Sequence, residues 1–139
     1  MKVYLEPSAL PIDYAHNEDA GLDLRTPYAF LLKAHSSMTV NTGVHVQIPH
    51  HCAGLLISKS GLNVKHGITS TGLIDEGYAG SITVKLYNQS DVDYEFQRGD
   101  KISQLMIIPV EHVAIFYVSG LEEFGYSERG QDGFGSTGR

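Results

Sequence analysis

Five stretches of this 139-residue chain set charged and hydroxyl-bearing side chains among glycines and apolar residues, an arrangement that can do chemistry. In Ala20-Gly21-Leu22-Asp23-Leu24-Arg25 a carboxylate lies between two leucines, and strand alternation puts it on the face opposite them. Aspartate is depleted in strands, so Asp23 needs a reason: neighbouring amides that satisfy it, or a hard cation or its waters. Ser58-Lys59-Ser60-Gly61 follows an apolar run. A turn with consecutive N–H groups, a hydroxyl and an ammonium is a small phosphate cradle; it is also how an ordinary turn with an exposed lysine reads. In Gly72-Leu73-Ile74-Asp75-Glu76-Gly77-Tyr78-Ala79-Gly80, packed Leu73 and Ile74 would hold Asp75 to orient a water, and Tyr78 would offer a ring face to a ligand. A β-turn with solvated acids is the plainer reading. Arg98-Gly99-Asp100-Lys101-Ile102-Ser103-Gln104-Leu105 is a turn into a strand. The terminal stretch from Arg129 to Arg139 combines glycines, Phe134, Ser136 and Thr137. Such a stretch is commonly a disordered polar terminus, yet its ring could stack on a base while its cations and hydroxyls grip phosphates.

The histidines offer no comparable pattern. His50 and His51 adjoin Cys52 but would face opposite sides of a strand, and the others are scattered. The single cysteine makes no intrachain disulfide, and no Cys/His spacing suits structural zinc. A formal net charge of −6 repels a phosphate polymer and excludes a general DNA or RNA binder. With 42% hydrophobic and 19% charged residues, most of the chain is expected to fold around one core. No apolar stretch reaches the ~18 residues of a membrane span, and no apolar leader opens the chain. A cytoplasmic protein without a membrane partner is the expectation.

The elements that must carry these segments follow a period of two. Val44–Ile48 and Ile82–Leu86 alternate cleanly, and similar runs occur at Lys2–Leu5, Met38–Thr42, Gly54–Ser58, Val92–Phe96, Ile102–Ile108 and Val113–Val118. Many short strands separated by glycine-rich turns predict an all-β sandwich or barrel. Only a short helix around Leu62–Val64 or Ser8–Leu10 is compatible with the pattern. Glycines multiply after Ser119, leaving Leu121, Phe124, Tyr126 and Phe134 as isolated anchors of a tail that docks. The expected organisation is therefore a barrel over 1–118 and a tail over 119–139.

In order and spacing, the five segments resemble the five motifs of the homotrimeric dUTPase family, the deoxyuridine 5′-triphosphate nucleotidohydrolases. AGLDLR is similar to the first, SKSG to the second, GLIDEGYAG to the third, RGDKISQL to the fourth and RGQDGFGSTG to the fifth. The resemblance implies a distorted jelly-roll-like β-barrel with a flexible tail, a homotrimer with active sites between subunits, and magnesium-assisted hydrolysis of dUTP to dUMP and pyrophosphate. That activity limits uracil incorporation into DNA and supplies dUMP for thymidylate synthesis. It implies Asp75 as the carboxylate that orients the attacking water, with Gln104 adding an amide near the α-phosphate. Lys59, Ser60 and Gly61 would hold phosphates, and Asp23 would reach Mg²⁺ through its water shell. Tyr78 would lie under the sugar, Gly72, Leu73 and Ile74 would meet uracil through their backbone, Phe134 would stack on the base, and Arg129, Ser136 and Thr137 would close on the outer phosphates.

Three departures accompany the resemblance. Lys59 stands where the family has arginine, giving a point charge in place of a planar fork. The hairpin between the second motif and Asp75 is expected to be short, reading Ile68-Thr69-Ser70-Thr71-Gly72, without the asparagine many members carry. Gly77 replaces a frequent acidic residue before the tyrosine. A related class, dCTP deaminase, needs a glutamate and an arginine where this chain has Lys85 and Val64, so deamination is disfavoured. A nonenzymatic trimer that keeps the fold as a binding or regulatory module is opposed by the intact Asp75, Tyr78 and tail.

Overall fold

Strands with one apolar face bury it only by pairing, and the alternating runs do so here. The computed structural model describes residues 1–127, 130 and 131. Its strands are β1 (Val3–Leu5), β2 (Leu22–Arg25), β3 (Phe30–Leu32), β4 (Ser37–Asn41), β5 (Val44–Val46), β6 (Cys52–Ile57), β7 (Ile68–Ile74), β8 (Thr83–Asn88), β9 (Tyr94–Phe96) and β10 (Lys101–Pro109). One helix, α1 (Ser60–His66), joins β6 to β7, and a 3₁₀ turn covers Leu121–Phe124. A six-stranded sheet runs in the order β2-β10-β6-β7-β8-β4, with the pairs β1-β5 and β3-β9 beside it, all antiparallel.

Inside this jelly-roll-like curl lie Leu24, Leu32, Val40, Leu56, Ile82, Val84, Ile102 and Leu105, all at most 2% exposed. Each such side chain contributes ~1.5–3 kcal/mol of burial, so the alternation in sequence accounts for the main driving force. Phe96 completes the core, its ring stacked on Phe30 at 4.8 Å. Seven expected runs fall on β1, β4, β5, β6, β8, β9 and β10, with ends shifted by a residue or two.

Three local expectations change. The segment Ile68–Gly72 is no hairpin: it belongs to the unbroken β7, whose Ile68–Ser70 pair with β8 and whose Thr71–Ile74 pair with β6. With few residues between α1 and Asp75, the chain spans the sheet once and has no slack to reverse. The short helix around Leu62–Val64 exists as α1, whereas Ser8–Leu10 forms no helix. Only Leu62 of α1 is buried, which is why no apolar stripe marked it, and Gly67 ends it in the left-handed region at φ 63°.

The third change is Val113–Val118, which forms no strand. Regular pairing stops at Pro109, short of the boundary expected at residue 118, and Phe116 and Tyr117 are 83% and 96% exposed. A strand needs a partner edge, and the described residues supply none. Leu121, Phe124 and Tyr126 are likewise exposed, so these tail anchors do not dock on their own chain.

Candidate functional site

The register of the central strands sets the first group of side chains. Gln104 on β10 stands opposite Asp23 on β2 and, on its other side, opposite Ile57 at the end of β6. Two residues beyond Ile57 comes Lys59, whose Nζ donates to Asp23 Oδ1 at 2.6 Å. Lys101 enters from β10, where a bulge interrupts the pairing with β2, and its Nζ lies 2.6 Å from Asp23 Oδ2. That second contact is an ion pair without an aligned hydrogen bond. Asp23 and Leu24 are fully buried and Leu22 nearly so, with both lysine ammoniums on the Asp23 carboxylate. Burial favours the neutral acid, but the close contacts and charges of Lys101 and Lys59 outweigh it and hold the carboxyl below its usual range.

Direct coordination of magnesium does not fit Asp23 in this arrangement. Both carboxylate oxygens already face ammonium groups, and a divalent cation brought there would meet two positive charges. The described residues contain no group of three acidic, histidine or cysteine side chains that could cage a metal. What Asp23 does is balance charge. Replacing both Lys59 and Lys101 by methionine would strand a buried carboxylate, and urea unfolding should register a loss toward the lower end of about 3–5 kcal/mol, because the lysines are partly exposed. Asp23→Asn should cost less, since both ammoniums can then turn to water. A depressed carboxyl stabilises the fold above its unfolded value of 3.8, and that contribution disappears as the pH falls through the folded value.

Serines tie this end of the sheet together. Ser58 Oγ accepts from the Ser70 N–H at 2.8 Å and donates to the Ser70 carbonyl at 3.0 Å, and Ser103 Oγ reaches Ile57 O at 2.9 Å. These bonds fix the point where β6 gives way to Lys59, Ser60 and Gly61.

The second group lies at the other end of β6 and β7. Asp75 follows β7, is exposed, and opens a turn closed by the Tyr78 N–H on the Asp75 carbonyl at 3.0 Å. With Leu73, Glu76 and Gly77 it lines a cleft of about 310 Å³ against Cys52, Ala53, Val110 and His112. Glu76 binds the turn before β6: its carboxylate meets His50 Nδ1 and accepts the His51 N–H at 2.9 Å. The His50 contact, then the His51 amide, lower the Glu76 carboxyl. His50 and His51 therefore sit in a turn with rings 4.1 Å apart, not on opposite faces of a strand.

Tyr78 is 45% exposed and donates its hydroxyl to the Ser81 carbonyl at 3.1 Å. The ring folds back over Gly80, where any Cβ would overlap the phenol, so the glycine is a steric requirement of the tyrosine's pose. Gly72, Leu73 and Ile74 pair with Leu56, Leu55 and Gly54 of β6, while β8 pairs only as far as Ser70. Their outer backbone edge is thus unpaired by β8 and open to a ligand's hydrogen-bonding groups.

The chain consequently brings Asp23, Lys59 and Gln104 together, with Ser60 and Gly61 adjoining, and brings Asp75 and Tyr78 together with the Gly72–Ile74 edge. It does not bring the two groups to each other. From Ala53 to Ser58 the strand runs ~17 Å, and they lie at its two ends. Arg129, Phe134, Ser136 and Thr137 lie outside the described residues. Lys101, Glu76 and His45 were not singled out from sequence. Lys101 lies within the fourth segment, but only the bulge on β10 reveals that it meets Asp23. Lys85 lies 5.9 Å from the Tyr87 ring and Val64 is exposed on α1.

The dUTPase family model matches residues 9–138. A deoxyuridine 5′-triphosphate nucleotidohydrolase of Clostridium kluyveri is 42% identical over 128 residues, 90% of this chain and 87% of the relative. One from Candida albicans is 41% identical over 86% of this chain and 76% of its own. Among solved structures, Staphylococcus bacteriophage 80alpha dUTPase with dUpNHpp superposes with a TM-score of 0.90 at 29% identity, covering 99% of this chain and 98% of the other. A dUTPase variant from phage phi11 of S. aureus, studied for its coordination of a structural Mg(II) ion, gives 0.78 at 28% identity over 87% and 97%. Matched along nearly its whole length in sequence and in fold, the chain belongs to the dUTPase family.

Proposed function

We propose that the chain hydrolyses dUTP to dUMP and pyrophosphate at sites completed between the subunits of a homotrimer. The observation that supports this is the division of its chemistry between two ends of one sheet: a site needing both Asp75 and Lys59 forms when one end of a subunit faces the other end of a neighbour. The exposed apolar arm before the tail also calls for a surface on another copy to cover it.

In this reading Asp75 orients a water whose oxygen attacks the α-phosphorus. The bond to the bridging oxygen of the β-phosphate breaks, pyrophosphate leaves, and the proton of the water passes to Asp75. Gln104 contributes an amide near the α-phosphate. Lys59, Ser60 and Gly61 hold phosphates, with the Lys59 ammonium shared between a phosphate oxygen and Asp23. The open edge at Gly72–Ile74 meets uracil, where a wrong exocyclic group would leave buried polar groups unpaired and a 5-methyl would clash. Phe134 stacks on the base, and Arg129, Ser136 and Thr137 close on the outer phosphates. Magnesium bound to the substrate's triphosphate would offset part of the ~4 negative charges that a chain of net charge −6 would otherwise repel. The enzyme works in the cytoplasm, keeping uracil out of DNA and supplying dUMP. No helix among the described residues is long and apolar enough to cross a membrane.

Pyrophosphate release from dUTP, dCTP, dTTP and UTP, with and without Mg²⁺, tests the assignment. The expected result is turnover of dUTP far above the other three, greatest with Mg²⁺; equal turnover of dCTP would overturn the uracil reading. Tyr78 carries sugar selection by filling the space a 2′-OH would need. Tyr78→Ala should narrow the dUTP/UTP ratio of kcat/KM, mainly by lowering dUTP efficiency and partly by admitting UTP. An unchanged ratio would remove Tyr78 from the sugar pocket.

A further inference from the structure

His45 on β5 offers each ring nitrogen to a different acceptor. Nδ1 lies 2.9 Å from the Ala79 carbonyl oxygen, and Nε2 lies 3.0 Å from Glu6 Oε1. A carbonyl and a carboxylate can only accept, whereas a neutral imidazole has one N–H to give. The imidazolium alone satisfies both contacts. Its partners lie far apart in sequence: Glu6 follows β1 and is anchored by its own N–H on the Gly43 carbonyl at 2.9 Å, while Ala79 follows Tyr78.

The loop from Asp75 to Ile82 is held firmly at both ends. Glu76 grips the His50–His51 turn at the start, and at the finish Ile82 N–H donates to the Val44 carbonyl at 2.7 Å while Ser81 Oγ bonds Asn41. His45 ties the middle, one residue beyond the Tyr78 ring. The groups that face it are Glu6 and Tyr4 from the β1 segment, the Tyr4 ring at 5.3 Å, and Glu76 and Tyr78 from the loop. Lys2 lines the same cavity, about 660 Å³, which these segments share with Gln47.

We propose that His45, as the imidazolium, is a positioning residue that clasps the Tyr78 loop to the N-terminal segment, so that discrimination between dUTP and UTP weakens when His45 loses its proton. This rests on the reading of Tyr78 as the neighbour of the sugar. The Ala79 carbonyl and then Glu6 raise the His45 value above the ordinary 6.5, against an opposing effect of burial. A raised histidine contributes its tether fully below that ordinary value and loses it as the pH climbs through the folded one.

The test uses the full chain, His45→Gln, which stays polar but cannot titrate, and Glu6→Gln. Histidine C–H resonances followed by NMR should give His45 a midpoint above 6.5 that falls in Glu6→Gln. Between about pH 6 and about pH 9, the dUTP/UTP ratio of kcat/KM should drop several-fold in the parent with the same midpoint. In His45→Gln the ratio should be low and flat. A His45 midpoint at or below 6.5, or a parental ratio constant through that midpoint, would overturn the clasp. If the parent fails to hydrolyse dUTP, the functional reading falls, and the clasp is judged on the Tyr78 ring resonances: they must shift with the His45 midpoint, and a ring indifferent to it refutes the positioning role.

Discussion

Asp75→Asn should leave a folded protein that binds nucleotide and hydrolyses it about 10²–10⁴-fold more slowly, the usual cost of removing a positioned base. The fold should not notice. Asp75 is exposed, and its contribution to the turn is its backbone carbonyl, which receives the Tyr78 N–H whatever the side chain. An exposed isosteric change away from a cap or buried pair shifts stability by roughly ±0.5 kcal/mol. Pyrophosphate release read beside calorimetric binding of a non-hydrolysable imido analogue separates the two effects. Turnover within a few-fold of the parent would remove Asp75 from the chemistry, whereas lost binding would make it a contact rather than a base.

Ending the chain at Glu128 should lower hydrolysis by orders of magnitude with no change in thermal unfolding. The sheet is complete at Pro109, and among the described residues the buried apolar core that drives folding lies wholly before it. The removed residues include Arg129, Phe134, Ser136 and Thr137, the groups assigned to the base and outer phosphates. Closing a glycine-rich segment over a ligand costs conformational entropy that those contacts must offset, and without them the nucleotide stays open to solvent. Mixing truncated chains with Asp75→Asn chains should restore activity in hybrid trimers, because an intact Asp75 can then use a tail from the other parent. Near-parental turnover of the truncated protein would refute the lid. Failure of rescue, under measured subunit exchange, would refute only the sharing of tails.

Strand alternation was readable because it is a local property: Ile82, Val84 and Leu86 must face one way wherever the strand lies, and all three are buried. The five chemical segments were readable in the same sense, each marked by residue type and short spacing. Where local reading went astray, a partner was missing from view. Val113–Val118 has the composition of a strand and no edge to pair with among the described residues, while Ile68–Gly72, expected as a short hairpin, makes up most of the unbroken β7. The histidines seemed scattered, yet His45 joins Glu6 to Ala79 and His50 meets Glu76.

By itself, then, the sequence determined an all-β scaffold, an excess of acid over base, and five segments through which the chain resembles the dUTPase family. Tertiary structure decided their relations. The register of β10 between β2 and β6 joins Lys59 and Lys101 to a buried Asp23, a charge balance that no local spacing announces. The antiparallel course of β6 and β7 carries Asp75 and Tyr78 to the far end of the same strands. Residue type is written position by position, but which charges neutralise each other and which groups share a site depend on distances between remote positions, and only the paired sheet sets those.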